Sequence, residues 1–397
     1  MTIQVVNMTD KIELNTDGKV DEFYKKLLTS TILEGYPKYS QEGLLKSMEK
    51  QDLLLLKKRR RRATGENILD LSDIENTTDQ ISEAINNEEQ TVKVFEKNEF
   101  FKSYKYSAVF FVDELDESLI ERLLNQNELI NFFADNYTHD TSTLITQGAR
   151  KPTMYSIENT ILFKFSKVLT GFTPGADGEK KEIKYPIVCV YSRNMGTLEI
   201  RLDSVRTMYQ SSDIFYESQI SSVLSWFKSY LNCNHTTINF LPIIEYIKKH
   251  KQREVAVEAQ SMAFQNGGKA VLENGINDNY VLPLLGELQE LIKANQELFD
   301  SSPEIKNLLD KFITEAETLS DLPWVTLVWK SDKTKVKFKF SQADDEYTIL
   351  QYYGRQSDME KMNYVTEYII ENKTELDQIE KTNSSEGGSS STDNQAV

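Results

Sequence analysis

The chain is short of the residues on which many catalytic and metal centres depend: it has two cysteines and three histidines among 397 residues. Cys189 and Cys233 cannot build a disulfide framework. His139, His235 and His250 are too few and too scattered for a histidine-rich metal centre, and Cys233-Asn234-His235 offers two ligand types without the further two a zinc site needs. Long apolar runs are missing as well; residues 53–56 fall far short of the ~20 needed to cross a bilayer. The opening MTIQVVNMTD lacks a basic start followed by an apolar stretch. These absences lead to the expectation of a cytoplasmic protein with no membrane partner.

The short motifs that announce common chemistries are also missing. There is no G-x-x-x-x-G-K-[ST] loop; Gly267-Gly268-Lys269 lacks the preceding loop and the hydroxyl that would hold Mg²⁺. Neither G-x-G-x-x-G, G-x-S-x-G, H-E-x-x-H nor C-x-x-C occurs. No cofactor is expected on this evidence, and whether the chain is an enzyme is left open. Positive charge is scarce overall: the formal net charge of −16 repels polyanions at long range. Local basic patches act within the ~8–10 Å screening length, so their placement matters more than the total.

What is present argues for a folded chain. Nineteen Tyr, nineteen Phe and three Trp offset a modest apolar fraction of 39%, because each aromatic side chain buries a large area. Periodicity predicts an α+β fold: a helical N-terminal region, a central antiparallel meander flanked by helices (αβββα), and a second helical plus three-stranded meander unit at the C-terminus. The expected divisions are 1–90, 91–252, 253–373 and a disordered tail over 374–397, whose last residues are rich in Ser, Gly and Asn.

Within the first region an amphipathic helix is expected to start after Ser40 and run straight into a basic hexad, with a weak helix or mobile insertion over 63–90. Strands are expected at 91–95, 103–112, 160–171, 182–192 and 197–203. A helix capped by Asp113 or Asp116 should follow the second of these. In the last third, helices are expected over 281–298 and from Ser302-Pro303, then strands at 324–330, 335–341 and 346–353, then a helix from Ser357. Three strands and then a helix thus occur twice, with no residue-level identity between the copies.

Three groups of residues could carry function. The hexad Lys57, Lys58, Arg59, Arg60, Arg61 and Arg62 is suited to contact phosphates; its other reading is the solvated C-terminal end of a helix. Strand alternation places Lys335, Lys337 and Lys339 on one face, opposite Val336, Phe338 and Phe340, with Trp324 on the neighbouring strand. An aromatic beside a basic ladder is how single-stranded nucleic acids are held, while lysines on the wet face of a sheet are also ordinary protection of an edge. The third group is Glu199, Arg201 and Asp203, alternating on one strand. With Asp177 or Glu182 as first carboxylate and Glu199 as second, this pattern is that of a Mg²⁺-dependent nuclease, with Arg201 where lysine is usual; the other reading is a salt-bridged solvent face.

The leading expectation is an interaction or regulatory protein that contacts nucleic acid or a phosphate-bearing partner through the hexad. Its Lys/Asn/Ile-rich composition associates it with accessory proteins of AT-rich bacteria, such as those of phage defence. The alternatives are the nuclease centred on Glu199 and a scaffold that binds only protein.

Overall fold

The computed structural model describes residues 22–57, 68–132, 144–145, 151–174, 178–264, 268–274, 283–318, 320–340, 347–354 and 359–386. The protein is α+β. It divides into two compact units, one made of Met1–Tyr104 and Val112–His235, the other of Lys105–Phe111 and Thr236–Val397.

The first unit begins with four helices: α1 (Glu22–Gly35), α2 (Lys38–Lys50), α3 (Thr77–Asn87) and α4 (Glu89–Phe101). Helix α2 does not run into the basic hexad as expected. It stops at Lys50, Asp52 takes a left-handed conformation (φ 57°), and the chain turns into the short strand β1 (Leu54–Leu55). Strand β1 pairs in parallel with β2 (Leu69–Asp70), and residues 58–67 lie outside the described residues. Asn76 opens α3 by accepting from the Thr78 amide at 3.1 Å, which fixes a helix inside the polar segment.

The strand expected at 91–95 is instead part of α4. Val92, Phe95, Glu96, Glu99 and Phe100 recur at helical spacing, and all five are buried. Two of them are glutamates, which a hydrophobic pattern counts as surface, so only the local alternation of Thr91–Phe95 was visible in the sequence.

Strands β7 (Thr160–Phe172), β8 (Lys180–Ser192) and β9 (Thr197–Leu202) form the expected antiparallel meander, reached after β3 (Tyr106–Val112), α5 (Glu117–Asn125), β4 (Ile130–Asn131), β5 (Leu144–Ile145) and β6 (Thr153–Ile157). Asp116, rather than Asp113, caps α5, accepting from the Ser118 amide at 2.9 Å. On one face of the meander, Phe163 and Phe165 pack against Trp226 and Phe227 of α6 (Phe215–Leu231), with ring centroids 5.1–6.4 Å apart. Helices α1 and α4 pack against β8. Gly171 lies so close to the 3-10 turn Thr207–Tyr209 that a Cβ there would sit 2.7 Å from the Met208 carbonyl.

The second unit continues through β10 (His235–Thr237), α7 (Phe240–His250), β11 (Val255–Phe264), β12 (Lys269–Glu273), α8 (Leu285–Ala294), α9 (Gln296–Asp300), α10 (Pro303–Thr318), β13 (Ser320–Trp329), β14 (Lys335–Phe340), β15 (Thr348–Tyr353) and α11 (Glu360–Glu386). Its antiparallel sheet runs β12-β11-β13-β14-β15-β3. Strands β11 and β12 were not foreseen. Register shifts at Val257/Ala259 and Ser261/Ala263 break the alternation of β11, so its sequence carries no clean period of two. The helix expected over 281–298 is divided at Asn295 into α8 and α9. Helix α11 continues to Glu386, so part of the segment expected as tail is helical; residues 387–397 lie outside the described residues, as do Ser357 and residues 281–282.

Candidate nucleic-acid interface

The β13–β14 turn sets the register of the lysine ladder. Lys333 adopts a left-handed conformation (φ 59°) and donates its amide to the Trp329 carbonyl at 2.9 Å, while the Trp329 amide donates to Thr334 O at 2.9 Å. The Asp332 carboxylate accepts from the Thr334 amide at 3.0 Å and from its hydroxyl at 2.6 Å. From this anchor Val328 pairs with Lys335, Thr326 with Lys337 and Trp324 with Lys339. On the other side Lys335 faces Tyr353 and Lys337 faces Gln351.

The two faces of this sheet differ in composition. Val325, Leu327, Val336, Phe338 and Leu350 are fully buried. On that side Phe338 meets Phe240 of α7 at 6.1 Å, and Trp329 meets Tyr368 of α11 edge-on at 5.8 Å. The other face holds the half-buried Lys335, Lys337, Lys339, Trp324, Gln351, Tyr353 and Tyr106 around the buried Thr326, Val328 and Ala108.

Each of three lysines there sits over an aromatic ring. The Lys337 ammonium is 3.4 Å from the Trp324 ring centroid, Lys339 is 5.5 Å from Tyr106, and Lys105 is 4.4 Å from Tyr353. Lys105 also donates to the Tyr352 carbonyl at 2.6 Å. Partial burial, then the neighbouring Lys339 charge, holds both Lys105 and Lys337 below the ordinary lysine value. Glu273 opposes this at Lys337, and Glu258, at the β11 register shift, forms an ion pair with Lys335. The positive charge is therefore crowded. An arriving anion relieves that crowding, and flat rings beside it offer stacking surfaces.

The other expected site residues stand elsewhere. Lys57 is exposed after the turn that ends α2, and Lys58, Arg59, Arg60, Arg61 and Arg62 lie outside the described residues. Asp177 lies outside them too, and Glu182 forms an ion pair with Lys180 at 2.8 Å at the far end of the β7–β8 hairpin. Glu199 and Arg201 are neither in a cleft nor on a solvent face. They pair with each other at 2.5 Å with side chains 3% and 1% exposed. Asp203, beyond the end of β9, pairs with Lys102.

Register places Arg201, Val188 and Lys164 side by side, and on the same face of the meander Lys184 pairs with Val168. Glu96 and Glu99 of α4 reach this face. Glu99 takes Lys164 at 2.9 Å and Lys184 at 2.6 Å, and Glu96 takes Lys184 at 3.2 Å. Burial by itself would raise the Glu99 carboxyl, but the two ammonium groups hold it below the ordinary carboxylate value. The lysines move apart: burial depresses Lys164, whereas two carboxylates overcome burial at Lys184 and raise it. Burial also raises the phenols of Tyr36 and Tyr104, with Glu99 and Asp203 adding to it. A metal ion at Glu199 would have to displace its buried partner Arg201. Among the described residues, no group of three or more His, Cys, Asp and Glu is placed to hold a metal ion.

Sequence reasoning found the ladder and Trp324, but missed Tyr353 on the next strand and Lys105 and Tyr106, which come from far along the chain. It also missed Glu96, Glu99, Lys164 and Lys184; isolated charges inside apolar runs, such as Lys164 within Ile161–Phe165, were the available signal. No protein-family model and no curated protein matches the chain. Among the described residues, no helix is long and apolar enough to cross a membrane.

Proposed function

We propose that the protein binds single-stranded nucleic acid on the half-buried face of β13, β14, β15 and β3. The observation that carries this reading is the set of three lysine–aromatic pairs, Lys337–Trp324, Lys339–Tyr106 and Lys105–Tyr353, on adjoining strands of one sheet. Bases stack on aromatic faces whatever their sequence, and lysines track the phosphates, so the expected ligand is a single strand with little sequence preference. The duplex alternative fits less well, because a sheet face offers no helix or ribbon to enter a groove.

Trp324 supplies its own reporter. Trp226 and Trp329 are each 1% exposed, whereas Trp324 is only half-buried, so quenching by an oligonucleotide reports on it selectively. Titration with an oligothymidylate should quench that fluorescence, and Trp324→Ala should weaken binding by about 1–3 kcal/mol, the usual loss for one stacked base. No binding at low salt, or equal binding by wild type and variant, would overturn the reading.

A further inference from the structure

Helix α10 carries an apolar stripe that its own unit does not cover. Ile305, Leu308 and Phe312, spaced three and four apart, lie on one face and are 55%, 70% and 57% exposed. The helix is held to its unit by a different side, through the buried Ile313. Leu291 on α8 and Leu298 on α9 are also more than half exposed. Single exposed apolar residues are ordinary, but a periodic stripe of large ones marks a contact surface.

The charges beside the stripe indicate what covers it. Glu304 and Lys311 are exposed, immediately precede Ile305 and Phe312, and so lie along the same edge of the stripe, one helical heptad apart and opposite in sign; Lys311 also interacts within its own chain, so a contact to a second copy is shared with that interaction. Two such helices packed antiparallel bring Glu304 of each copy toward Lys311 of the other, twice by symmetry. A parallel pair sets Glu304 beside the neutral Leu309 instead. Antiparallel packing also opposes the helix dipoles favourably. The pattern is self-complementary, as a two-fold contact between identical surfaces requires.

We infer that α10 is a self-association surface, pairing antiparallel with α10 of a second copy of this chain through Ile305, Leu308 and Phe312. The test is sedimentation of the full chain from about 1 to about 100 μM, where mass action reveals a concentration-dependent dimer. Leu308→Glu, at an exposed position, should leave the circular dichroism unchanged and raise the dimer dissociation constant at least ~30-fold. Glu304→Lys should weaken association, and adding Lys311→Glu should restore it. The inference is overturned if the wild type stays monomeric throughout, as it would were the stripe covered by a different protein. It is equally overturned if Leu308→Glu dimerises like the wild type, or if the double reversal fails to recover what Glu304→Lys loses.

Discussion

In the first unit, Glu99 holds a buried ion network together. It is fully buried and receives two lysines that are themselves buried, Lys164 and Lys184. Removing one member of a buried ion network leaves the others charged and uncompensated, at a cost of roughly 3–5 kcal/mol. Glu99→Gln should therefore lower stability by about that amount in denaturant unfolding. The pH dependence follows from the direction of its shift. A carboxyl held below its ordinary value contributes stability that is fully present above the usual carboxylate range. That contribution is lost as pH falls through the lowered value. Wild type should lose stability on acidification through that region, and Glu99→Gln should show a flatter profile; parallel profiles would remove Glu99 from the account. The same burial explains why this group was invisible beforehand. Glutamate at positions 96 and 99 reads as solvent-facing until the strands that carry Lys164 and Lys184 are known to lie beneath it.

Among the elements, the β13–β14 hairpin does most to build the candidate interface, since its turn decides which residues of β14 face Trp324. Asp332 ties that turn through two hydrogen bonds to Thr334, which is buried. Burial would raise the Asp332 carboxyl, but those bonds and Lys361 hold it below its ordinary value. Asp332→Ala should cost about 1.5–3 kcal/mol, the range for hydrogen bonds to a charged group. It should also weaken oligonucleotide binding although Asp332 is not a proposed contact; unchanged stability would show that the turn holds without it. Element legibility tracked regularity of pattern. The β7–β8–β9 meander, made of strand-like runs between turn-forming joints, and β14, with its strict alternation, were read correctly. Strand β11 has two register shifts, and α4 has buried glutamates, and both were missed.

Across the whole molecule, net charge and local charge oppose each other. A chain at −16 repels a polyanion at a distance, so binding rests on contacts within the screening length. Three or four lysines against the phosphates of a single strand give a log–log slope of affinity against salt of roughly −2 to −3. A slope near zero would mean that the aromatic rings act without phosphate contacts. A much steeper slope would bring in other cations, with Lys57 and its basic neighbours the first to substitute.

The sequence by itself determined the α+β class, the meanders, the absence of common nucleotide-binding and hydrolase motifs, and the alternation that sets Lys335, Lys337 and Lys339 on one face. These follow from local periodicity, which depends only on the geometry of a helix or strand. Tertiary structure alone decided which charges meet. It put Glu199 and Arg201 in a buried pair rather than on a surface. It brought Tyr106 from β3 beside Lys339, and left the stripe of α10 uncovered although its spacing resembles that of a core helix. The physical reason is that periodicity says which side chains share a face, whereas burial depends on what packs over that face from far along the chain.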